Sequence, residues 1–94
     1  MDVLSLAQVT GGLRLRELLN RMGGDRPELA LLQVASEVKA GNVSVSFAGS
    51  GGTVLGNDAE LRRMSVPAIA DELRKIENPE NVVVDPTERS YRGR

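Results

Sequence analysis

Gly49-Ser50-Gly51-Gly52-Thr53 has the composition of an anion cradle, because successive glycines can aim several backbone N–H groups at one phosphate. The stricter patterns are not met. A P-loop ends in Gly-Lys-Ser/Thr at a helix start, and a dinucleotide fingerprint opens a helix, whereas this run has no lysine and leads into strand-like Thr53-Val54-Leu55. It reads as a flexible hairpin turn. Carboxylate pairs are the next candidates for acid–base work or for a divalent cation. Asp58 with Glu60 and Asp71 with Glu72 are both close in sequence. Adjacent helical residues such as Asp71 and Glu72 point about 100° apart, and Arg74 and Lys75 lie nearby, so a solvated face is the better account. Ser44 and Ser46 share a strand face, but the chain contains no histidine to act as their base. The absence of histidine and cysteine also removes the commonest metal ligands. We therefore expect no catalytic residue, cofactor or metal, and a protein that is not an enzyme.

Arginine is the remaining chemistry-bearing residue, and it falls in two groups. Arg14, Arg16 and Arg21 follow Leu4–Thr10 and the Gly11-Gly12 break, an arrangement like a short helix, a glycine turn and a basic helix that could contact phosphates or base edges. Glu17 lies among them. The second group, Arg89, Tyr91, Arg92 and Arg94, crowds into the last six residues, and arginine and tyrosine are typical anchors on an acidic or aromatic-binding partner. Both groups are expected to be partner-binding, the tail more so.

The elements that position these residues follow from period and punctuation. Leu15, Leu18, Leu19 and Met22 keep the spacing of one helical face and predict a helix over 13–22, ended by Gly23-Gly24. Asp25 as N-cap and Pro27 in the first turn start a second helix over 26–40, closed by Gly41-Asn42. The period then changes to two: Val43, Val45 and Phe47 alternate with Ser44, Ser46 and Ala48, which predicts a half-buried strand. The nearest β-branched segment, Thr53-Val54-Leu55, is expected to pair back on it as a hairpin over 43–55. Residues 59–64 read equally as one helical turn or as irregular chain. Ser65 and Pro67 open a third helix over 65–77, with Val66, Ile69, Ala70, Leu73 and Ile76 on one face. Asn78-Pro79 stops it, and Val82-Val83-Val84 is the last apolar segment.

These 94 residues, 10.1 kDa, make room for one domain. We expect an α+β fold of three short helices around a small antiparallel hairpin, with residues 1–84 as the domain and 85–94 as a polar, flexible tail. Phe47 and Tyr91 are the only aromatics, so the core must be aliphatic; Leu18, Leu32, Ala35, Val38, Val45, Phe47, Ile69, Leu73 and Ile76 are its expected members. Such a core is thin, and an oligomer or partner would add to it. Twelve basic against thirteen acidic residues give a net charge of −1, which argues against steering toward nucleic acid or an anionic membrane. No apolar run approaches the roughly 20 residues of a membrane span, and Asp2 stands where an export signal would be basic. The expected location is the cytoplasm or a larger assembly.

The order helix, hairpin, helix and arginine-bearing tail over residues 26–94 is similar in outline to small phage head-to-tail joining proteins, which implies a non-enzymatic role in a virion connector. An extra N-terminal helix and a long link at 56–64 depart from that outline. The expected function is a protein–protein interaction or assembly module working with a protein partner or as a homo-oligomer. The alternative is a small DNA-binding regulator using the arginines of the first helix.

Overall fold

A computed structural model describes residues 2–23, 26–50 and 52–92. Its first element is α1 (Val3–Thr10), capped by the Asp2 carboxylate, which accepts the Ser5 N–H at 2.7 Å. The helix ends on Gly11 in the left-handed region, and Gly12 follows at φ 124°. Gly12 is glycine for its backbone, since a side chain at this φ would be strained; a Cβ would also meet the tip of the Asp85 side chain, which would have to shift. The chain then makes a two-residue strand, β1 (Leu13–Arg14), and turns into α2 (Leu15–Gly23).

Helix α3 (Pro27–Ala40) begins with proline in its first turn and stops at Gly41, whose left-handed backbone lets its N–H return to the Glu37 and Val38 carbonyls. Asp25, the expected N-cap, lies outside the described residues. Strand β2 (Val43–Phe47), helix α4 (Asp58–Arg63) and helix α5 (Val66–Arg74) follow. Residues 58–63 are thus helical, with Asn57 as cap. Ser65 caps α5 as expected, accepting the Ala68 N–H at 3.2 Å. A 3₁₀ turn at Pro79–Asn81 leads into β3 (Val82–Pro86) and α6 (Glu88–Arg92).

The class is α+β, with six helices and a three-stranded antiparallel sheet among the described residues. The pairing differs from the expected hairpin. Strand order is β1-β3-β2, so β2 runs against β3, with Val45 opposite Val84 and Phe47 opposite Val82. Thr53 makes only an isolated bridge to Ser46. The expected return of residues 53–55 is thus present in shortened form on the other edge of β2, while β3, whose Val82 and Val84 are fully enclosed, takes the full-length pairing. The segment beyond Val84 also differs from a plain polar tail, since Asp85 and Pro86 complete β3 and residues 88–92 form α6. Thr87 ties this segment down by donating its N–H to the Asn42 carbonyl and its hydroxyl to that of Gly41.

Alternation divides the sheet into two faces. Leu13, Val43, Val45, Val82 and Val84 point inward, while Arg14, Ser44, Ser46, Val83 and Asp85 point outward. The helical layer closes the inner face, with α3 packed against α1, α2, α5 and β2. Leu18, Ala35, Val38, Val45, Ile69 and Leu73 are buried as expected, and Val3, Leu6, Ala7, Leu15 and Val34 join them. Leu32 and Phe47 are not core residues: their exposures are 37% and 45%. Ile76 packs on the core edge and is only partly buried. Helices α3 and α5 are also clamped at the surface, where the Arg74 guanidinium donates to Glu28 and to Asp71; these bonds, Glu28 first, raise its pKa above the ordinary arginine value.

Candidate partner-binding surface

Phe47 shares the inward parity of Val43 and Val45, so its ring lies on the core side of β2. It sits at the strand's end, where the helical layer gives out: α5 stops at Arg74, and the chain passes through Lys75 and Ile76 without further helix. The strand's outer edge is covered there by the returning chain, with the Phe47 N–H donated to the Gly52 carbonyl at 2.7 Å and the Val54 N–H to that of Val45 at 3.2 Å. The result is a groove of about 460 Å³ between β2 and the end of α5. Phe47, Val54, Leu55 and Ile76 form its apolar lining. Glu72, Lys75 and Glu77 supply its charges, and Lys75 lies 3.6 Å from Glu72. An aromatic ring flanked by half-buried aliphatics and edged by charge has the make-up of an interface centre with a polar rim.

The two arginine groups fare differently. Arg14, on the outward face of β1, donates to the Glu80 carbonyl at 2.8 Å. Arg16 pairs with the Glu80 carboxylate at 3.3 Å, and Arg21 with Glu17 at 2.7 Å. All three cations are exposed but engaged within the chain, and α1 and α2 are separated by β1 rather than joined by the tight turn of a helix-turn-helix. Of the second group, Arg89 is exposed at the start of α6 and lines a cleft with Lys39 and Arg62. Tyr91 and Arg92 belong to α6, but their side chains, like Arg94 as a whole, lie outside the described residues.

Strand parity places Phe47 and helical spacing places Ile76 on the core side; either pattern fixes the face, not how far the opposing layer extends. Lys39 and Arg62 carried no sequence signal, since the cleft joins residues from α3, α4 and α6. Serines 44 and 46 stand on the outward sheet face. Among the described residues no group of His, Cys, Asp or Glu is arranged to hold a metal ion, and no helix is long and apolar enough to cross a membrane. Comparison with protein-family models, curated proteins and solved structures found no match.

Proposed function

We propose that this chain is a non-enzymatic protein–protein interaction or assembly module, working in the cytoplasm or within a larger assembly, and that it docks its partner on the groove at the end of β2. The observation that supports this reading is Phe47. The one phenylalanine of the chain is left 45% exposed in a groove instead of completing an aliphatic core. Exposed single aliphatics are common, but a large aromatic flanked by Val54 and Ile76 offers a partner far more apolar area than a scattered leucine does. The groove's lining charges, Glu72, Lys75 and Glu77, sum to −1, which suits an apolar side chain flanked by a basic one. Arg16 and Arg21 are paired with the Glu80 and Glu17 carboxylates, while Arg14 donates only to the Glu80 carbonyl, so the DNA-binding alternative has one unpaired cation of the three to draw on.

A Phe47→Ser variant tests the reading. The ring is about half exposed, so its removal should cost roughly 1–2 kcal/mol of stability, well below the cost for an enclosed phenylalanine. Association with the partner, or self-association measured by light scattering, should weaken by about 2 kcal/mol or more, as at an interface anchor. Unchanged association in a folded variant would remove the groove from the interface.

A further inference from the structure

Three elements meet where α3 ends, and they bring three cations to one cleft. Lys39 from α3, Arg62 from α4 and Arg89 from α6 line a space of about 170 Å³, together with Val38, Gly41 and Leu61; among the described residues no carboxylate lines it. Two of the cations are held in place. The Lys39 ammonium donates to the Arg62 and Met64 carbonyls, which fixes it at the end of α4. The Arg89 side chain lies over the bare face of Gly41, where a Cβ would come within 3.4 Å of its Cδ and 3.8 Å of Nη1. Gly41, at φ 82°, is glycine for its backbone and also for this close approach. The Thr87 bonds to Gly41 and Asn42 set the start of α6 against the end of α3, which keeps Arg89 over the cleft.

Arg16, Arg21 and Arg74 each face a carboxylate. Arg62 and Arg89 have no ion-pair partner among the described residues. Arg14, Arg26 and Arg63 also lack an ion-pair partner among the described residues, but none of them lines this cleft, which gathers three cations. Lysine and arginine near a helix C-terminus are favourable against its negative end, and that accounts for part of the placement of Lys39 and Arg89. Arg62 is likewise in the last turn of its own helix, α4; what helix-end charge leaves unexplained is that the ends of α3 and α4 bring these cations into one cleft with Arg89. Three positive charges with no carboxylate in the described lining favour an anion of more than one negative charge. A carboxylate brings one charge, and a phosphodiester brings one charge and two free oxygens. A phosphate monoester brings nearly two charges and three acceptor oxygens, enough for two guanidinium forks at once. The cleft is also a single pocket and not a channel that could follow a nucleic acid backbone.

We propose that the cleft formed by Lys39, Arg62 and Arg89 is a binding site for a phosphate monoester. It shares no lining residue with the groove at Phe47, so it stands or falls apart from the proposed docking function. Arg62 and Arg89 grip the phosphoryl oxygens, and the Lys39 ammonium adds a fixed positive charge beside them.

The test is an amide and arginine-Nε NMR titration of the whole chain with three probes at matched ionic strength: inorganic phosphate, a capped phosphoserine tripeptide and acetate. The expected result is saturable shifts at Lys39 to Gly41, Leu61, Arg62 and Arg89 below about 20 mM phosphate or phosphopeptide, with acetate far weaker. Tighter binding of the phosphopeptide than of free phosphate identifies a phosphorylated side chain as the source; the reverse order identifies a small phosphorylated molecule. Lowering the pH from about 7.5 to about 5 should weaken the phosphopeptide, whose second ionisation lies near pH 6. Arg62→Gln and Arg89→Gln should each reduce affinity roughly tenfold, and Arg62→Lys should recover part of it. Retained native amide spectra show which variants remain folded, and Arg62→Gln keeps the test open if Arg89→Gln disturbs the α3–α6 junction. Absence of saturable shifts, equal response to acetate, or affinity unchanged in both glutamine variants would overturn the site and leave the cations as helix-end and solubilising charges.

Discussion

Replacing Val84 with alanine should be among the more costly single changes in this chain, because β3 is the central strand and Val84 lies between Leu13 of β1 and Val45 of β2. Its exposure is 0%, and the residues opposite it in both registers are themselves buried. The substitution removes about two methylene equivalents, worth about 1.6 kcal/mol in transfer free energy. A strand locked on both sides collapses little around the gap, so a cavity contribution brings the total to about 2–3 kcal/mol. For a domain of this size that corresponds to a fall of roughly 10–20 °C in melting temperature. The neighbour Val83 is the internal control: it has the same chemistry, but it points outward between Arg14 and Ser46 and is only partly buried. Val83→Ala should cost less than about 1 kcal/mol. Thermal and urea unfolding of the two variants, followed by far-UV circular dichroism, measure both. Equal losses, or a smaller loss at Val84, would refute the β1-β3-β2 order and return residues 82–84 to the periphery.

Other substitutions test separate joints. Gly12→Ala should destabilise by about 1–3 kcal/mol from backbone strain alone, with the contact to Asp85 adding to it; urea unfolding of Gly12→Ala beside Gly11→Ala, where a Cβ meets nothing within 4 Å, separates strain from contact. Ser65→Ala removes the α5 cap and should cost about 0.5–2 kcal/mol in the same assay. Arg74→Ala should change the melting temperature only slightly, and the difference should shrink further in high salt, because the Glu28 and Asp71 partners are more than half exposed. Truncation after Val84 should lower thermal stability, since it deletes two of the five β2–β3 register pairs and the Thr87 bonds to Gly41 and Asn42.

The parts of the fold legible in the sequence are those written locally. Pro27 and Gly41 bracket α3, and Ser65 with Pro67 opens α5, because caps and turn residues act within a few positions of themselves. Strand β2 was equally visible from its alternation. Its partner was not: Val82–Pro86 lies some forty residues away, and nearest-neighbour pairing favours Thr53–Leu55, which the fold uses only as a bridge and a plug for the core. Helix α1 is short and polar at Gln8 and Thr10, so its burial of Val3, Leu6 and Ala7 depends on α3 and β3, which no local pattern announces. The candidate surfaces follow the same division. Arg89 stood out by composition, whereas the exposure of Phe47 and the convergence of Lys39 and Arg62 on Arg89 are products of tertiary placement. The local hairpin is only part of the sheet: β2 keeps a short bridge to Thr53 on one edge and gains the non-local β3 on the other.

Whether Phe47 is a docking residue or a core residue is decided by placing a photo-cross-linking phenylalanine analogue at position 47 and irradiating the chain in its native host. A matched probe at Ser44, on the outward face of the same strand, is the control. Docking at Phe47 should give a discrete adduct from position 47, either a second copy of the chain or one defined protein, and none of comparable yield from position 44. No adduct above the Ser44 control, together with unfolding of Phe47→Ser, would contradict it and return the ring to the core.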